Sequence, residues 1–133
     1  MKVIFDSNIW ISFLIGHHAK LLQGILTDSR CKVVVCDELL EEIRGVCLRS
    51  KICSRVCDEE VDDLFRVIFA YCAKVKIEIE AVAKIRDPKD LYLLSLAETV
   101  NANYIVTGDN DVLDLKWHKQ TKMLTFAEFK ALI

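Results

Sequence analysis

Residues 86–111, RDPKDLYLLSLAETVNANYIVTGDND, hold a complete helix and strand with carboxylates at both ends, and their reading decides the fold. Pro88, the only proline in the chain, suits a first helical position, where its missing N–H would be unpaired anyway. Asp87 is then the predicted N-cap and Asp90 the third helical residue. Leu93, Leu96, Ala97 and Val100 recur at i, i+3, i+4 and i+7, one apolar stripe of an α-helix. Asn101–Asn103 ends that helix, and Tyr104–Thr107 is a short β-rich run of the kind buried in a parallel sheet. Gly108 then turns the chain into Asp109 and Asp111.

A helix packed antiparallel to parallel strands begins at the edge where those strands end. Asp90 at a helix start and Asp109 just past a strand end are therefore expected on one edge of the sheet. Capping and the helix dipole also favour Asp at such positions, so Asp87 and Asp90 need a further reason to be called functional.

The rest of the chain repeats the pattern. Val3-Ile4-Phe5 starts a strand, Asp6-Ser7-Asn8 interrupts it, and Ile9–Ile15 makes an apolar helix with Ser7 as its expected cap. A second helix is predicted over His17–Asp28, with the two histidines solvated at its start. Lys32–Cys36 is a β-branched strand, and Asp37 is expected to cap a helix over Glu38–Arg49. Of the acids at its start, Glu38, Glu41 and Glu42, two are ordinary dipole-favoured surface residues; Glu42, beside Ile43, is the one placed to point along the sheet edge toward Asp6. Asp58 opens a helix to about Ala73. Lys74–Glu80 alternates charged residues with Val75, Ile77 and Ile79, the period of a short edge strand. Val112–Leu115 reads as a short turn, Lys122–Leu124 as a last strand, and Thr125 as the cap of a helix over Phe126–Leu132.

Composition narrows the class. A chain of 133 residues that is 53% hydrophobic has enough apolar mass for one domain, 1–133, with a substantial core. It has no low-complexity tract and no internal repeat. No apolar run approaches the ~18 residues of a membrane span, and Met1-Lys2-Val3 leads directly into a strand. The expectation is a soluble cytoplasmic protein with no membrane partner. Cys31, Cys36, Cys47, Cys53, Cys57 and Cys72 lie in apolar periodic segments without a CxxC pair, so reduced thiols are expected and a zinc site is not. The formal net charge of −2 is low for a dedicated nucleic-acid binder, but a metal-dependent nuclease must itself carry several carboxylates. Arg44, Arg49, Lys51 and Arg55 form the one basic stretch; it is a solvated face or an RNA phosphate-contacting patch.

Strands alternating with helices give a parallel sheet covered on both faces, and such folds bind ligands at the C-terminal edge of the strands. Asp6, Glu42, Asp90 and Asp109 all fall near that edge, with Asp111 close by. They come from separate segments, so local capping does not explain their meeting. Carboxylates crowded in one cleft repel unless a divalent cation or bound protons compensate. Oxygen donors of this kind suit Mg²⁺ or Mn²⁺, and the chemistry of such a site is phosphodiester hydrolysis.

With FDSN at 5–8, ELLEEI at 38–43, DPKDLYLLSLA at 87–97 and TGDND at 107–111, the chain resembles the PIN-domain family, in particular the VapC-like ribonuclease toxins of type II toxin–antitoxin pairs. Each motif alone is weak; their order and spacing over nearly the whole chain carry the resemblance. It implies an acidic catalytic quartet of Asp6, Glu42, Asp90 and Asp109. It further implies metal ligation by Asp6, Asp90, Asp109 and the frequent fifth acid Asp111, with Asn8 and Thr107 shaping the site. The implied fold is an α/β/α sandwich with a mostly parallel sheet of about five strands. The implied partners are an RNA substrate, an antitoxin protein and a second copy of the chain.

Two registers stay open. Cys36-Asp37 stands where relatives often carry Ser, which leaves Glu41 beside Glu42, and the DPKD pair leaves Asp87 beside Asp90, although the stripe from Leu93 favours Asp90. A PIN-like RNA- or protein-binding module without useful catalysis is the competing function. An aspartyl-phosphate receiver is set aside: Asp6 is followed by Ser7-Asn8 rather than a second acid, and Met123–Thr125 stands where a receiver's lysine would be.

Overall fold

Strand β1 (Lys2–Phe5) is flanked on one side by β2 (Lys32–Val35) and on the other by β4 (Tyr104–Val106), and this split decides where the site lies. The computed structural model describes residues 1–133. The sheet runs in the order β3-β2-β1-β4-β6-β5, where β3 is Ala73–Lys74, β5 Trp117–His118 and β6 Thr121–Leu124. All neighbours pair in parallel except β5 and β6. The chain steps outward from β1 to β2 and β3, then returns to the other side of β1 as β4. The C-terminal ends of β1 and β4 therefore meet at a topological switch point, where an open α/β sheet forms its crevice.

Helices flank the sheet to make an α/β/α sandwich. They are α1 (Ser7–Ile15), α2 (Ala19–Leu26), α3 (Asp37–Cys47), α4 (Ser50–Cys53), α5 (Asp58–Tyr71), α6 (Leu91–Val100), α7 (Asn110–Leu113) and α8 (Phe126–Leu132). No helix is long and apolar enough to cross a membrane. The expected sandwich and parallel sheet are present, with six strands where about five were expected. The additional one is β5, too short for a period-2 pattern to reveal. It forms because Lys119 takes a left-handed backbone (φ 53°) in the tight loop before β6, and because Glu98 on α6 holds the hairpin through His118 and Lys119.

The predicted edge strand 74–80 is corrected. Pairing with β2 stops at Val75, whose N–H donates to the Val35 carbonyl, because β2 gives way there to α3 and offers no further partner. The chain then crosses α6 in extended form. Its N–H groups at Glu78 and Ile79 donate to Thr99 Oγ1 (3.1 and 3.2 Å), and that of Ala81 donates to Ser95 Oγ (2.9 Å). Helix hydroxyls thus replace a strand as the amide partners. The crossing holds Ser95, and Ser95 and Leu94 are both buried, so α6 is buried beyond the single stripe read from its sequence. Other ends shift for local reasons. His17 is left-handed (φ 54°), which delays α2 to Ala19, and Cys36 rather than Asp37 is the N-cap of α3. Asp37 is instead the first helical residue and pairs with Lys74.

The core joins the strand ends to the helices. Phe5 packs edge-on against Trp10 (5.5 Å between ring centroids) and Phe129 (5.5 Å), and Phe13 packs against Phe126 (5.4 Å). Thr125 caps α8 as expected, in a reciprocal box with Glu128, and so aims Phe126 and Phe129 at α1 and β1. Phe129 is fully buried while Leu132, on the same helix, is half exposed. Phe129→Ala is expected to lower stability by about 3–5 kcal/mol in urea unfolding, and Leu132→Ala to stay within about 0.5 kcal/mol of wild type. Equal losses from the two would show that α8 does not belong to the core.

Candidate active site

The carboxylate of Asp6 is the fixed point of the crevice. Asp6 caps α1, the role expected of Ser7: its Oδ1 accepts from the Ser7 N–H at 2.7 Å. Its Oδ2 accepts from Thr107 Oγ1 (2.8 Å) and Asn8 Nδ2 (3.1 Å), and the residue is only 2% exposed. Thr107 Oγ1 in turn accepts from the Asp109 N–H (3.0 Å), and Asn8 Oδ1 from the Gly108 N–H (2.9 Å). A Cβ at residue 108 would stand 3.3 Å from Asn8 Oδ1, so the close approach of the two loops favours glycine there. Asn8 and Thr107 thus shape the site in a specific sense: they tie the end of β1 to the end of β4.

Asp109 caps α7, its Oδ1 accepting from the Asp111 N–H at 2.9 Å, and faces Asp90. Asp90 is 6% exposed, and its Oδ2 has no hydrogen-bond partner. Burial above all, then the charges of Asp6 and Asp109 and a hydrogen bond to Asp109, push the Asp90 carboxyl up to about 7. Asp6 is also raised, chiefly by burial; its hydrogen bonds from Thr107 and Ser7 oppose the shift, and the charges of Glu42 and Asp109 add to it.

The two open registers separate in space. Glu42 accepts a hydrogen bond from the Tyr92 hydroxyl and lies near enough to Asp6 to act on its charge, whereas Glu41 is exposed. Asp87 caps the 3₁₀ turn Pro88–Asp90 through the Lys89 N–H (3.0 Å), as expected, while Asp90 points inward without a capping bond. The structure therefore brings Asp6, Glu42, Asp90 and Asp109 to one edge. It does not bring Asp111 into their group: that carboxylate pairs with Arg86 Nε at 3.2 Å. The four basic residues are exposed and free of ion pairs, Arg44 lying 3.9 Å over the Phe65 ring. They follow Glu42 along α3 and beyond, so Arg49, Lys51 and Arg55 sit past the far end of an 11-residue helix, about 16 Å long, that starts at the site edge.

Sequence reasoning missed Tyr92 and Arg86. Tyr92 looks like one more apolar member of α6, and only the fold shows Glu42 opposite it. Arg86 lies inside the stretch that decided the fold, but its partners Asp111 and Asp114 come from α7 and its C-cap.

As placed, no three His, Cys, Asp or Glu side chains are grouped closely enough to hold a metal ion. The chemistry of the donors nevertheless fits a hard cation: the unpartnered Asp90 Oδ2 is buried against other carboxylates, with no hydrogen-bond donor to offset it.

The fold recurs among known proteins. The profile described as PIN domain matches residues 2–111. No curated protein sequence matches the chain. Among solved structures, VapBC2 from Rickettsia felis, bound to a DNA fragment from their promoter, aligns with a TM-score of 0.62 at 14% identity, covering 94% of this chain and 98% of that one. The PIN domain of T. brucei RRP44 aligns with a TM-score of 0.52 at 14% identity, covering 97% of this chain and 78% of that one.

The raised Asp90 sets a pH dependence. Between its ordinary value of 3.8 and about 7 the folded chain holds a proton that the unfolded chain has lost, so metal-free stability falls as pH rises through that window. Asp90→Asn removes the effect. In EDTA the variant is expected to melt close to wild type at pH 4 and several degrees above it at pH 8; parallel melting curves across that range would remove Asp90 from the buried cluster.

Proposed function

Because the chain belongs to the PIN-domain family, we propose that it is a Mg²⁺- or Mn²⁺-dependent endoribonuclease and the toxin of a toxin–antitoxin pair. One observation carries the proposal: Asp90, on which the charges of Asp6 and Asp109 act, holds a buried carboxylate oxygen that no donor satisfies. Fold similarity to VapBC2 of R. felis supports the toxin assignment and an antitoxin protein as partner. A cytoplasmic site of action and a homodimer belong to the same proposal.

Asp6, Asp90 and Asp109 would hold the cation, which when bound polarises a phosphoryl oxygen and lowers the pKa of water. Asp6 is pre-set for this by Thr107 and Asn8, so its carboxylate need not reorganise. Glu42, held by the Tyr92 hydroxyl, is the group placed to accept a proton from the attacking water. Burial and the neighbouring Glu42 keep the Tyr92 phenol protonated, so it remains a donor and leaves the proton-accepting role to Glu42. The basic residues serve RNA away from the scissile phosphate, since most lie beyond the far end of α3.

Asp6→Asn is expected to reduce Mn²⁺-dependent cleavage of RNA by at least about 100-fold while the variant remains folded in EDTA. Wild-type protein that binds RNA without cutting it would point instead to a binding module. For the basic stretch, Arg49→Gln with Arg55→Gln should weaken RNA binding and flatten its salt dependence by up to about one unit of slope per lost contact. An unchanged slope makes the stretch a solvated face.

A further inference from the structure

The chain has two tryptophans, and the fold treats them in opposite ways. Trp10 is fully buried against Phe5, whereas Trp117 is 57% exposed at the start of β5. The backbone around Trp117 is nonetheless fixed. Its N–H donates to the Leu115 carbonyl (2.6 Å), and the Lys116 carbonyl accepts from the Met123 N–H (2.9 Å). Glu98 anchors the same hairpin through His118 and Lys119. A large ring is thus held out to solvent on an ordered strand, where burial would have stabilised it more.

Positive charge flanks that ring. Lys122 lies directly opposite Trp117 in the antiparallel pair, so both project from one face of the sheet, and its Nζ stands 5.7 Å from the ring centroid. Lys116, exposed and left-handed (φ 60°), precedes the ring. The ion-paired lysines are Lys74 and Lys119, which leaves Lys116 and Lys122 free. The acids of this region are already engaged. Arg86 holds Asp111 and Asp114, and Glu128, whose charge Lys122 also reaches, accepts the Thr125 N–H in the cap of α8.

The ring also lies close to the crevice. β5 is two places beyond β4 in the sheet, about 10 Å at ordinary strand spacing. Trp117 is level with Lys122 and Tyr104, two residues, or about 7 Å, short of the edge where β4 and β6 end. A strand of RNA in the crevice would reach it within a few nucleotides, on the flank opposite β2 and the basic stretch that follows α3.

We propose that Trp117 is a stacking platform for an unpaired base, with Lys116 and Lys122 on the adjoining phosphates, and that it makes single-stranded RNA the preferred substrate. The inference rests on the ribonuclease reading above and adds the substrate class to it. A duplex cannot use the ring, because its bases are already stacked on one another and only its shape and backbone are offered. Stacking on an aromatic face tolerates any base, so the platform selects strandedness and not the sequence that is cut.

The test is tryptophan fluorescence of the full chain in EDTA, titrated with a short oligouridylate and with the same strand annealed to oligoadenylate. Affinity is read in parallel from the anisotropy of a labelled strand. The single strand should quench wild-type fluorescence and the duplex should not. Trp117→Phe, whose remaining Trp10 is buried, should lose the quenching but bind within about threefold of wild type. Trp117→Ala should bind the single strand at least about fivefold more weakly, and Lys122→Gln should lower the salt slope by about one unit. In Mn²⁺-dependent cleavage, Trp117→Ala should raise KM and leave kcat within about twofold, a split that a general loss of folded protein does not produce. Several results would overturn the proposal while leaving the ribonuclease reading in place: no quenching of wild type by the single strand, equal quenching by the duplex, or unchanged affinity in Trp117→Ala. Trp117 emission that responds to protein concentration and not to RNA would also overturn it, by making the ring a contact between copies of the chain. Wild-type protein that neither binds nor cuts RNA would overturn both.

Discussion

A buried carboxylate at the junction of two strands governs this structure. Asp6 is almost fully removed from water, and a charge so placed is tolerated only where donors replace the lost solvent. Those donors are Ser7, Asn8 and Thr107, all within three residues of the end of β1 or β4. Thr107 reaches Asp6 only because Phe5 lies opposite Val106 in the parallel register, with the Asp6 N–H bonded to the Val106 carbonyl (2.9 Å). Trp10 secures the same corner by donating its indole N–H to the Phe5 carbonyl (3.1 Å) while its ring packs on Phe5. Strand register, helix cap and aromatic core thus converge on one side chain.

The acids around that point differ in how their charge is balanced, and the differences assign their roles. Asp6 is held by hydrogen bonds, Glu42 by a phenol, Asp111 by a guanidinium and Asp109 by the start of its own helix. Asp90 has no such partner for its inner oxygen. Burial, and then the charges of Asp6 and Asp109, push its carboxyl up to about 7. A buried group left unsatisfied by the fold is a concentrated reason to bind something, and the surrounding oxygens favour a hard cation.

The irregular crossing over α6 contributes more than a connection. Hydroxyls of Ser95 and Thr99 capture its amides, so the segment is ordered without a strand partner. It seals one side of α6 and delivers Arg86 and Asp87 to the helix start that carries Asp90. Protein of this fold aligns with VapBC2 of R. felis along nearly the whole chain at 14% identity, so the architecture survives extensive replacement of its side chains.

Much of the fold is legible in the sequence. Pro88, the stripe from Leu93 to Val100 and the run Tyr104–Thr107 each encode their local structure through backbone restriction or periodicity, signals that need no distant partner. The alternation of strands and helices then implied a parallel sheet, and its rules placed Asp6, Glu42, Asp90 and Asp109 on one edge. Local signals failed where the deciding contact was remote in sequence. Residues 75–80 carry a strand's period but lack a partner strand, and β5 has a partner but no period. Tyr92 at Glu42, fifty residues away, and Arg86 at Asp111 and Asp114 are products of the assembled fold. Which of two neighbouring acids turns inward, Asp90 rather than Asp87 and Glu42 rather than Glu41, was decided by tertiary structure as well. Neighbouring acids of one helix segment carry similar local signals, and only the opposite segment buries Asp90 and gives Glu42 its tyrosine partner.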